Sequence, residues 1–204
     1  MILTSNQEDA LKEIGNIGVS KAAKQLSILL DSPIKISIPN ISVIKPDQID
    51  IPEVYKHDTL SFVYQMLSND LQGYAALAFK REQTNLLTMS VLGQIPQLTQ
   101  EEARACEQEA LLEIGNIIIS SCITAIVDLL AKKIGLSLPF YDENNVVNLM
   151  KKLCASFSDP PQEVLVISTI LNTGNDKLFG NLFLILTQHA THTILTAIQG
   201  LLND

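Results

Sequence analysis

The sequence has few of the residues on which disulfide, metal and nucleic-acid sites depend. Its 204 residues include no tryptophan, three cysteines, three histidines and only 14 lysines and arginines. Three cysteines, with no Cys-x2-Cys pair among them, favour buried free thiols over a disulfide framework or a zinc site. The net charge of −8 argues against nucleic acid and against an anionic membrane surface, because both require clusters of basic residues.

Long apolar runs are also lacking. The first four residues are followed by the polar segment 5–9, so the basic and apolar segments of a signal peptide are not seen. No apolar run approaches the roughly 20 residues of a membrane span. We therefore expect a cytoplasmic protein. Because 47% of the residues are hydrophobic, we expect one globular domain with a sizeable core.

The common motifs of several enzyme classes are missing as well. The sequence has no Gly-x4-Gly-Lys-Ser/Thr loop, no Gly-x-Gly-x2-Gly turn after a strand and no Gly-x-Ser-x-Gly elbow. His189 and His192 could share a helix face, but no acidic residue or cysteine lies near them in the sequence, so a metal site is not predicted there. The chain offers no evident metal site or nucleophile of its own.

What the sequence does contain is one motif in two copies. Glu-Ile-Gly-Asn-Ile occurs at 13–17 and again at 113–117, and a serine follows three residues after each copy. The offset of 100 residues holds without a gap as far as Pro39 and Pro139. A duplication explains this match better than chance does. It predicts a single domain over 1–204, built from tandem repeats at about 5–93 and 99–203.

The polar residues of the motif recur at helical spacing. At about 100° per residue, they cluster within roughly 60° of arc on one face of a helix. These polar residues are Asp9, Glu13, Asn16 and Ser20. This polar face, and its counterpart with Glu113 and Asn116, is predicted to be exposed to solvent. The opposite, apolar side is predicted to be buried and contains Leu11, Ile14, Ala22, Leu26 and Leu29. Gly15 and Gly18 lie on the apolar side, where we expect another element to approach closely, and Gly115 repeats Gly15.

The rest of the chain predicts a helix, three strands and a helix in each half, with an additional helix at 144–157 in the second half, where the first half has a loop. The helices are predicted at 5–31, 84–92, 99–133, 144–157 and 188–202, and the strands at 34–38, 60–67, 73–79, 136–141, 164–171 and 180–186. Ser5 or Asn6 is predicted to cap the first helix, and Gly135 to end the second long helix. Pro39 is expected to interrupt its strand or to place it at an edge. Hairpin connections favour an antiparallel sheet with helices packed on it.

Each motif copy presents a carboxylate and an amide one helical turn apart. A carboxylate can pair with a cation or accept a proton, and an amide both donates and accepts hydrogen bonds and can orient a water molecule. Phosphoryl transfer to water depends mainly on such positioning. A solvated helix face is the ordinary explanation for a single Glu and Asn. Two copies with matched Gly, Ser and Pro favour a functional role.

These residues resemble the phosphatase signature of the CheC/CheX/FliY family of chemotaxis proteins, Asp/Ser-x3-Glu-x2-Asn-x22-Pro. The first copy matches it at Asp9, Glu13, Asn16 and Pro39. The second copy matches it at Glu109, Glu113, Asn116 and Pro139. The one departure is Glu109, which stands where Asp or Ser is usual. The chain length and the two-copy layout are most similar to CheC.

The resemblance implies a fold and a reaction. The fold is an α/β domain of the α+β type, with pseudo-two-fold symmetry, a mainly antiparallel sheet and two long helices that carry the motifs. The reaction is hydrolysis of the phospho-aspartate of the response regulator CheY, which carries its own Mg²⁺, so no cofactor or metal is expected in this chain. Asn16 and Asn116 would orient the attacking water, Glu13 and Glu113 would pair with the regulator's active-site lysine, and Asp9 would be accessory.

Two alternatives stay open. One is a CheC-like adaptor that binds the receptor deamidase CheD with little catalysis, and the other is a relative that acts in another two-component pathway. The intact Glu-Asn pair in both copies favours retained catalysis. The sequence does not identify the regulator, the oligomeric state or whether both sites are active.

Overall fold

The structure is a computed structural model that describes residues 3–45, 58–81, 84, 99–159, 161, 163–173 and 176–202. Within these ranges the helices are α1 (Ser5–Leu29), α2 (Gln100–Leu130), α3 (Val146–Cys154) and α4 (Gln188–Leu201). The strands are β1 (Ile34–Ile44), β2 (Leu60–Asn69), β3 (Gly73–Lys80), β4 (Ile134–Leu136), β5 (Phe140–Asn144), β6 (Val164–Thr173) and β7 (Asp176–Leu186). The helix predicted at 84–92 lies outside the described residues, apart from Thr84.

Helix α1 begins one residue before its predicted cap. Thr4 Oγ1 accepts a hydrogen bond from the backbone N–H of Gln7 at 3.3 Å, and the N–H of Thr4 donates to Oε1 of Gln7 at 3.0 Å. This reciprocal capping box satisfies two donors that a helix start otherwise leaves unpaired. The prediction of Ser5 or Asn6 as the cap is therefore wrong, because Thr4 is the extended residue that bonds with Gln7, and Ser5 is already the first residue of the helix.

Helix α2 begins where the sequence predicted and ends earlier. Thr99 and Glu102 form the same capping box, and the N–H of Thr99 donates to the carboxylate of Glu102 at 2.8 Å. This bond lowers the pKa of the Glu102 carboxyl group. The helix ends at Leu130 because Ala131 takes the left-handed conformation, with φ of 49°, and bonds back to the last turn. Gly135, which was predicted to end the helix, lies in β4 instead.

The seven strands form one sheet in the order β1-β6-β7-β3-β2-β4, and β5 also pairs with β2. Every pairing is antiparallel. The first strand of each half is therefore bonded to the second strand of the other half, since β1 pairs with β6 and β4 and β5 pair with β2. If each strand is replaced by its counterpart in the other half, the strand order read from one edge of the sheet is the same as the order read from the opposite edge. This confirms the predicted antiparallel, pseudo-two-fold α/β fold and supports the proposal of one domain made of two repeats.

The strand that follows each long helix is irregular at its proline. The pairing of β1 with β6 shifts register between Ser37 and Asn40, on either side of Pro39. In the second half the strand predicted at 136–141 is divided into β4 and β5, and Pro139 lies between them. Proline has no N–H to donate to a strand ladder, so regular pairing stops at both positions.

The helices lie on both faces of the sheet. Alternate residues of β2 point to opposite faces, as in any strand. Val63 and Leu67 pack in the larger apolar cluster together with α1, α2 and α4. Phe62 packs in the smaller cluster together with α3. Both motif helices therefore lie on the same face of the sheet.

Helix α2 is long and apolar enough, over Gln100–Asp128, to cross a membrane by length and composition. In the fold, however, 67% of its most apolar 18-residue segment is buried inside the protein. Leu111, Ile114 and Ile119 are fully buried in the cluster beneath the helices. Helix α2 is therefore a core helix.

Candidate functional site

The first motif lies along α1 with its carboxylates turned to solvent. Asp9 and Glu13 are exposed, while Asn16 is partly buried. On the opposite side the predicted apolar residues are buried, with the exception of Leu29, which is 41% exposed near the end of the helix. The buried ones are Leu11, Ile14, Ala22 and Leu26.

The second motif repeats this arrangement on α2. Glu109 and Glu113 are exposed, and Asn116 is partly buried. The predicted exposure of the carboxylates is thus confirmed in both halves. The two asparagines are less exposed than predicted because each side chain turns toward the sheet and hydrogen-bonds there.

In the first site the amide of Asn16 is fixed by the backbone of β1. Its Oδ1 accepts a hydrogen bond from the N–H of Ile38 at 3.2 Å. A backbone N–H can only donate, so the amide oxygen must face the strand and the amide nitrogen must face away from it. Ile38 immediately precedes Pro39, where the strand is irregular. The fixed interval from Asn16 to Pro39 therefore has a structural role, because it places the N–H of Ile38 on β1 beside the side chain of Asn16.

In the second site the amide of Asn116 is fixed by a side chain. Its Oδ1 accepts a hydrogen bond from Nε2 of Gln65 at 3.2 Å. The same Nε2 donates to the backbone oxygen of Ser137 at 2.8 Å. Leu138, which matches Ile38 at the 100-residue offset, is 83% exposed. The two sites therefore present the same residues on different supports.

The residues packed against the two motif glycines explain why the supports of the two asparagines differ. A Cβ atom on Gly15 would collide with the end of the Ile38 side chain. A Cβ atom on Gly115 would lie 2.6 Å from Cβ of Val63. Both glycines are closely approached, as predicted. The space beside the helix is filled by Ile38 in the first half and by Val63 of β2 in the second, while Leu138 points to solvent.

Both sites lie on a convex helix face. The cavity of about 950 Å³ among the described residues is lined by residues that follow α3 and by the start of α4, with no motif residue in it. Exposed apolar side chains lie close to each motif in the sequence: Ile17, 50% exposed, follows Asn16, and Leu138 follows Ser137. A convex face with exposed apolar side chains is typical of contact with another macromolecule.

Gln65 and Ile38 were not predicted as parts of the site. The sequence carried one signal for Gln65, because it stands between the apolar residues Val63 and Leu67 on the inward-facing side of β2. It is 2% exposed. Ile38 acts through its backbone N–H, and no residue type predicts that.

The described residues include no group of three or more His, Cys, Asp and Glu side chains placed to hold a metal ion. The chemistry that the site itself can perform is that of an exposed carboxylate and an anchored amide on one helix face. The carboxylate can pair with a cation of a partner. The amide can hold a water molecule in a fixed direction.

Comparison with known proteins finds a family model, a curated relative and solved structures that match this chain. The family model "CheC-like family" matches residues 7–43, which contain the whole first motif. The CheY-P phosphatase CheC of Bacillus subtilis (strain 168) is 25% identical over 146 residues, which cover 67% of this chain and 66% of that protein. The structure of FliY from Thermotoga maritima is 21% identical, covers 98% of this chain and 99% of that chain, and has a TM-score of 0.77.

The same fold is also found in a second solved structure. The FliM middle domain from H. pylori is 9% identical, covers 96% of this chain and 99% of that chain, and has a TM-score of 0.63. At such identities the two solved structures show the fold alone. The family match over the first motif, the curated relative and the antiparallel α/β fold together confirm that the chain resembles the CheC/CheX/FliY family and is similar to CheC.

Proposed function

We propose that this protein is a phosphatase that hydrolyses the phospho-aspartate of a CheY-like response regulator. The observation that carries the proposal is the pairing, in both halves, of an exposed carboxylate with an asparagine whose oxygen is anchored to the sheet. The pairs are Glu13 with Asn16 and Glu113 with Asn116. The curated relative, a CheY-P phosphatase that is 25% identical, supports the substrate class.

The proposed mechanism relies on orientation. With Oδ1 of Asn16 or Asn116 bound to the sheet, the amide cannot rotate freely and can hold a water molecule in line with the phosphorus atom of the regulator. The water oxygen forms the new bond to phosphorus. The bond from phosphorus to the aspartyl oxygen breaks, and the aspartyl carboxylate leaves with the electron pair. Protons from the water remain on the released phosphate.

The carboxylates bind rather than react in this proposal. Glu13 and Glu113 are exposed on rigid helices, where each can pair with the active-site lysine of the regulator. The Mg²⁺ of the reaction is carried by the regulator. Asp9 and Glu109 lie one turn before the glutamates and are proposed to contact the rim of the regulator's site.

A protein substrate fits the shape of the two sites. A convex helix face cannot enclose a small molecule, whereas it can enter a concave site on another protein. Ile17 and Leu138 would add apolar contact at the two interfaces. A soluble regulator of this kind is cytoplasmic, and we propose the same location for this chain.

The test is turnover. A phosphorylated CheY-like regulator in large excess is mixed with a catalytic amount of the protein, and release of inorganic phosphate is followed. The proposal predicts many phosphates released per protein molecule, at a rate above that of the regulator's own decay. Binding without turnover would contradict it and favour the CheD-binding adaptor, which a pull-down with CheD then tests.

A further inference from the structure

We propose that Gln65 is a positioning residue that fixes the amide of Asn116 in the second site, and that the first site has no equivalent. The inference rests on the proposed phosphatase function and adds to it, because it makes the two sites chemically different. Gln65 lies on β2, outside both motif copies. It is buried beneath α2 and touches the reaction only through the asparagine.

The bonds of Gln65 determine the orientation of both amides. The Ser137 backbone oxygen can only accept, so Gln65 must turn its nitrogen toward it. The second hydrogen of that nitrogen then points at Asn116, whose oxygen must accept the hydrogen bond. The amide nitrogen of Asn116 is left facing away from the sheet. A single glutamine thus fixes one of the two possible orientations of Asn116.

The burial of Gln65 indicates a role other than packing. Its side chain is 2% exposed, and its Oε1 is buried with no hydrogen-bond partner in the described part of the chain. A buried acceptor without a donor is unfavourable, so an apolar residue would pack here at lower cost. The two hydrogen bonds from Nε2 are what the glutamine adds at this position.

The sheet register identifies the corresponding residue in the first half. Leu67 pairs with Leu136 in the second site, and Leu171 pairs with Ile36 in the first. The glutamine lies two residues before Leu67, so its counterpart on β6 is Thr169, two residues before Leu171.

Thr169 does not take the same role. Its Oγ1 donates to the backbone oxygen of Gly180 on the neighbouring strand at 3.0 Å. Asn16 instead binds the backbone N–H of Ile38, which no substitution removes except one by proline. Loss of Gln65 should therefore affect the second site alone.

The experiment isolates each site before changing Gln65. In an Asn16→Ala background only the second site remains, and in an Asn116→Ala background only the first. Gln65→Met, which keeps the length of the side chain and removes its N–H groups, should lower kcat by about 10- to 100-fold in the first background. KM should change little because Gln65 does not reach the surface. In the Asn116→Ala background kcat should be unchanged.

Thr169→Val in the Asn116→Ala background is the matched control, since it removes a buried polar group from the corresponding strand position. It should leave kcat unchanged. Equal losses from Gln65→Met in both backgrounds would mean that the glutamine acts through the fold, and unchanged activity in the Asn16→Ala background would overturn its positioning role. If Gln65→Met fails to fold, Gln65→Leu, which is also apolar and has no N–H to donate, replaces it.

A second readout does not depend on activity. NMR of the side-chain amides in the unphosphorylated protein should show increased motion of the Asn116 amide in Gln65→Met and no change for Asn16. If the wild-type chain released no phosphate, the proposed function would fail, and this measurement would still decide the positioning. An unchanged Asn116 amide would contradict the inference.

Discussion

An asparagine can direct a water molecule only if its own amide is held in one orientation. The oxygen and the nitrogen of the amide have opposite hydrogen-bonding character, so a rotation of 180° exchanges donor and acceptor. Asn16 and Asn116 are both fixed through Oδ1, the first by a backbone N–H and the second by Gln65. Partial burial of the asparagines is thus part of the site, because a fully exposed amide would have no such anchor.

The three cysteines differ in their burial, and this gives a prediction at the same scale. Burial raises the pKa of the Cys122 thiol to about 12 from an ordinary value near 9. Cys106 and Cys154 are partly exposed. A thiol reagent at neutral pH should therefore modify these two first, and Cys122 only on unfolding. Rapid reaction of all three thiols in the folded protein would contradict the burial of Cys122.

The raised pKa also gives a pH dependence. Above pH 9 the unfolded chain releases the proton of Cys122, whereas the native protein holds it until about pH 12. The unfolding free energy should therefore fall as the pH rises from about 9 to about 12, and the part of this fall that is due to Cys122 should disappear in Cys122→Ala. Denaturant titrations of both proteins across this pH range make the comparison.

Among the elements, the two motif helices are in close contact at Gly18. A Cβ atom there would lie 2.8 Å from Cα of Cys122 and 3.0 Å from the backbone oxygen of Ser121. At Gly15 the atom in the way is the end of the Ile38 side chain, which can turn aside. At Gly18 the atoms in the way belong to the backbone of α2, which can make room only if the whole helix shifts. The lack of a side chain at Gly18 therefore sets the distance between the two helices. The lack of a side chain at Gly15 lets Ile38 of β1 pack against α1.

These contacts predict opposite results for two alanine substitutions. Gly18→Ala should lower the unfolding free energy by about 1–3 kcal/mol, since it forces one helix away from the other. Gly15→Ala should change stability little, because the strain on Ile38 is offset by about 1 kcal/mol of gained helix propensity. Thermal or denaturant unfolding compares the two, and equal effects would show that Gly18 is not the contact point.

The sequence predicted the elements better than their contacts. The helical spacing of the motif located both long helices, although Thr4 caps the first and the second ends before Gly135. The support of Asn116 was not predictable, because Gln65 and Asn116 are 51 residues apart and meet only where α2 packs on β2. The exposed position of Leu138 was likewise not predictable, because the repeat alone does not show that Val63 fills the space that Ile38 takes in the first half.

At the scale of the whole molecule, the exchange of strands makes each half depend on the other. Within the described residues, β2 and β3 are the only strands of the first half that pair with each other, while β1 pairs with β6. The sequence indicated the pseudo-symmetry through its 100-residue offset. It could not give the strand exchange, because alternation within a strand does not identify its neighbours.

This exchange predicts that a separated half does not fold. A chain of residues 1–98 lacks partners for β1 and for the outer side of β3, so it should show little cooperative unfolding by circular dichroism. Coexpression with residues 99–204 should restore cooperative unfolding. An independently folded first half would contradict the proposal of one domain built from two repeats.

The most direct test of the central claim compares phosphate release by the wild-type protein, Asn16→Ala, Asn116→Ala and the double variant, each in catalytic amount over excess phosphorylated CheY-like regulator. Each substitution leaves one hydrogen-bond donor, the N–H of Ile38 or Nε2 of Gln65, without its asparagine partner, so melting temperatures should fall moderately and serve as the control that the variants are folded at the assay temperature. The account predicts that each single variant is slower than wild type and that the double variant releases phosphate no faster than the regulator alone. Full activity of the double variant would contradict the account.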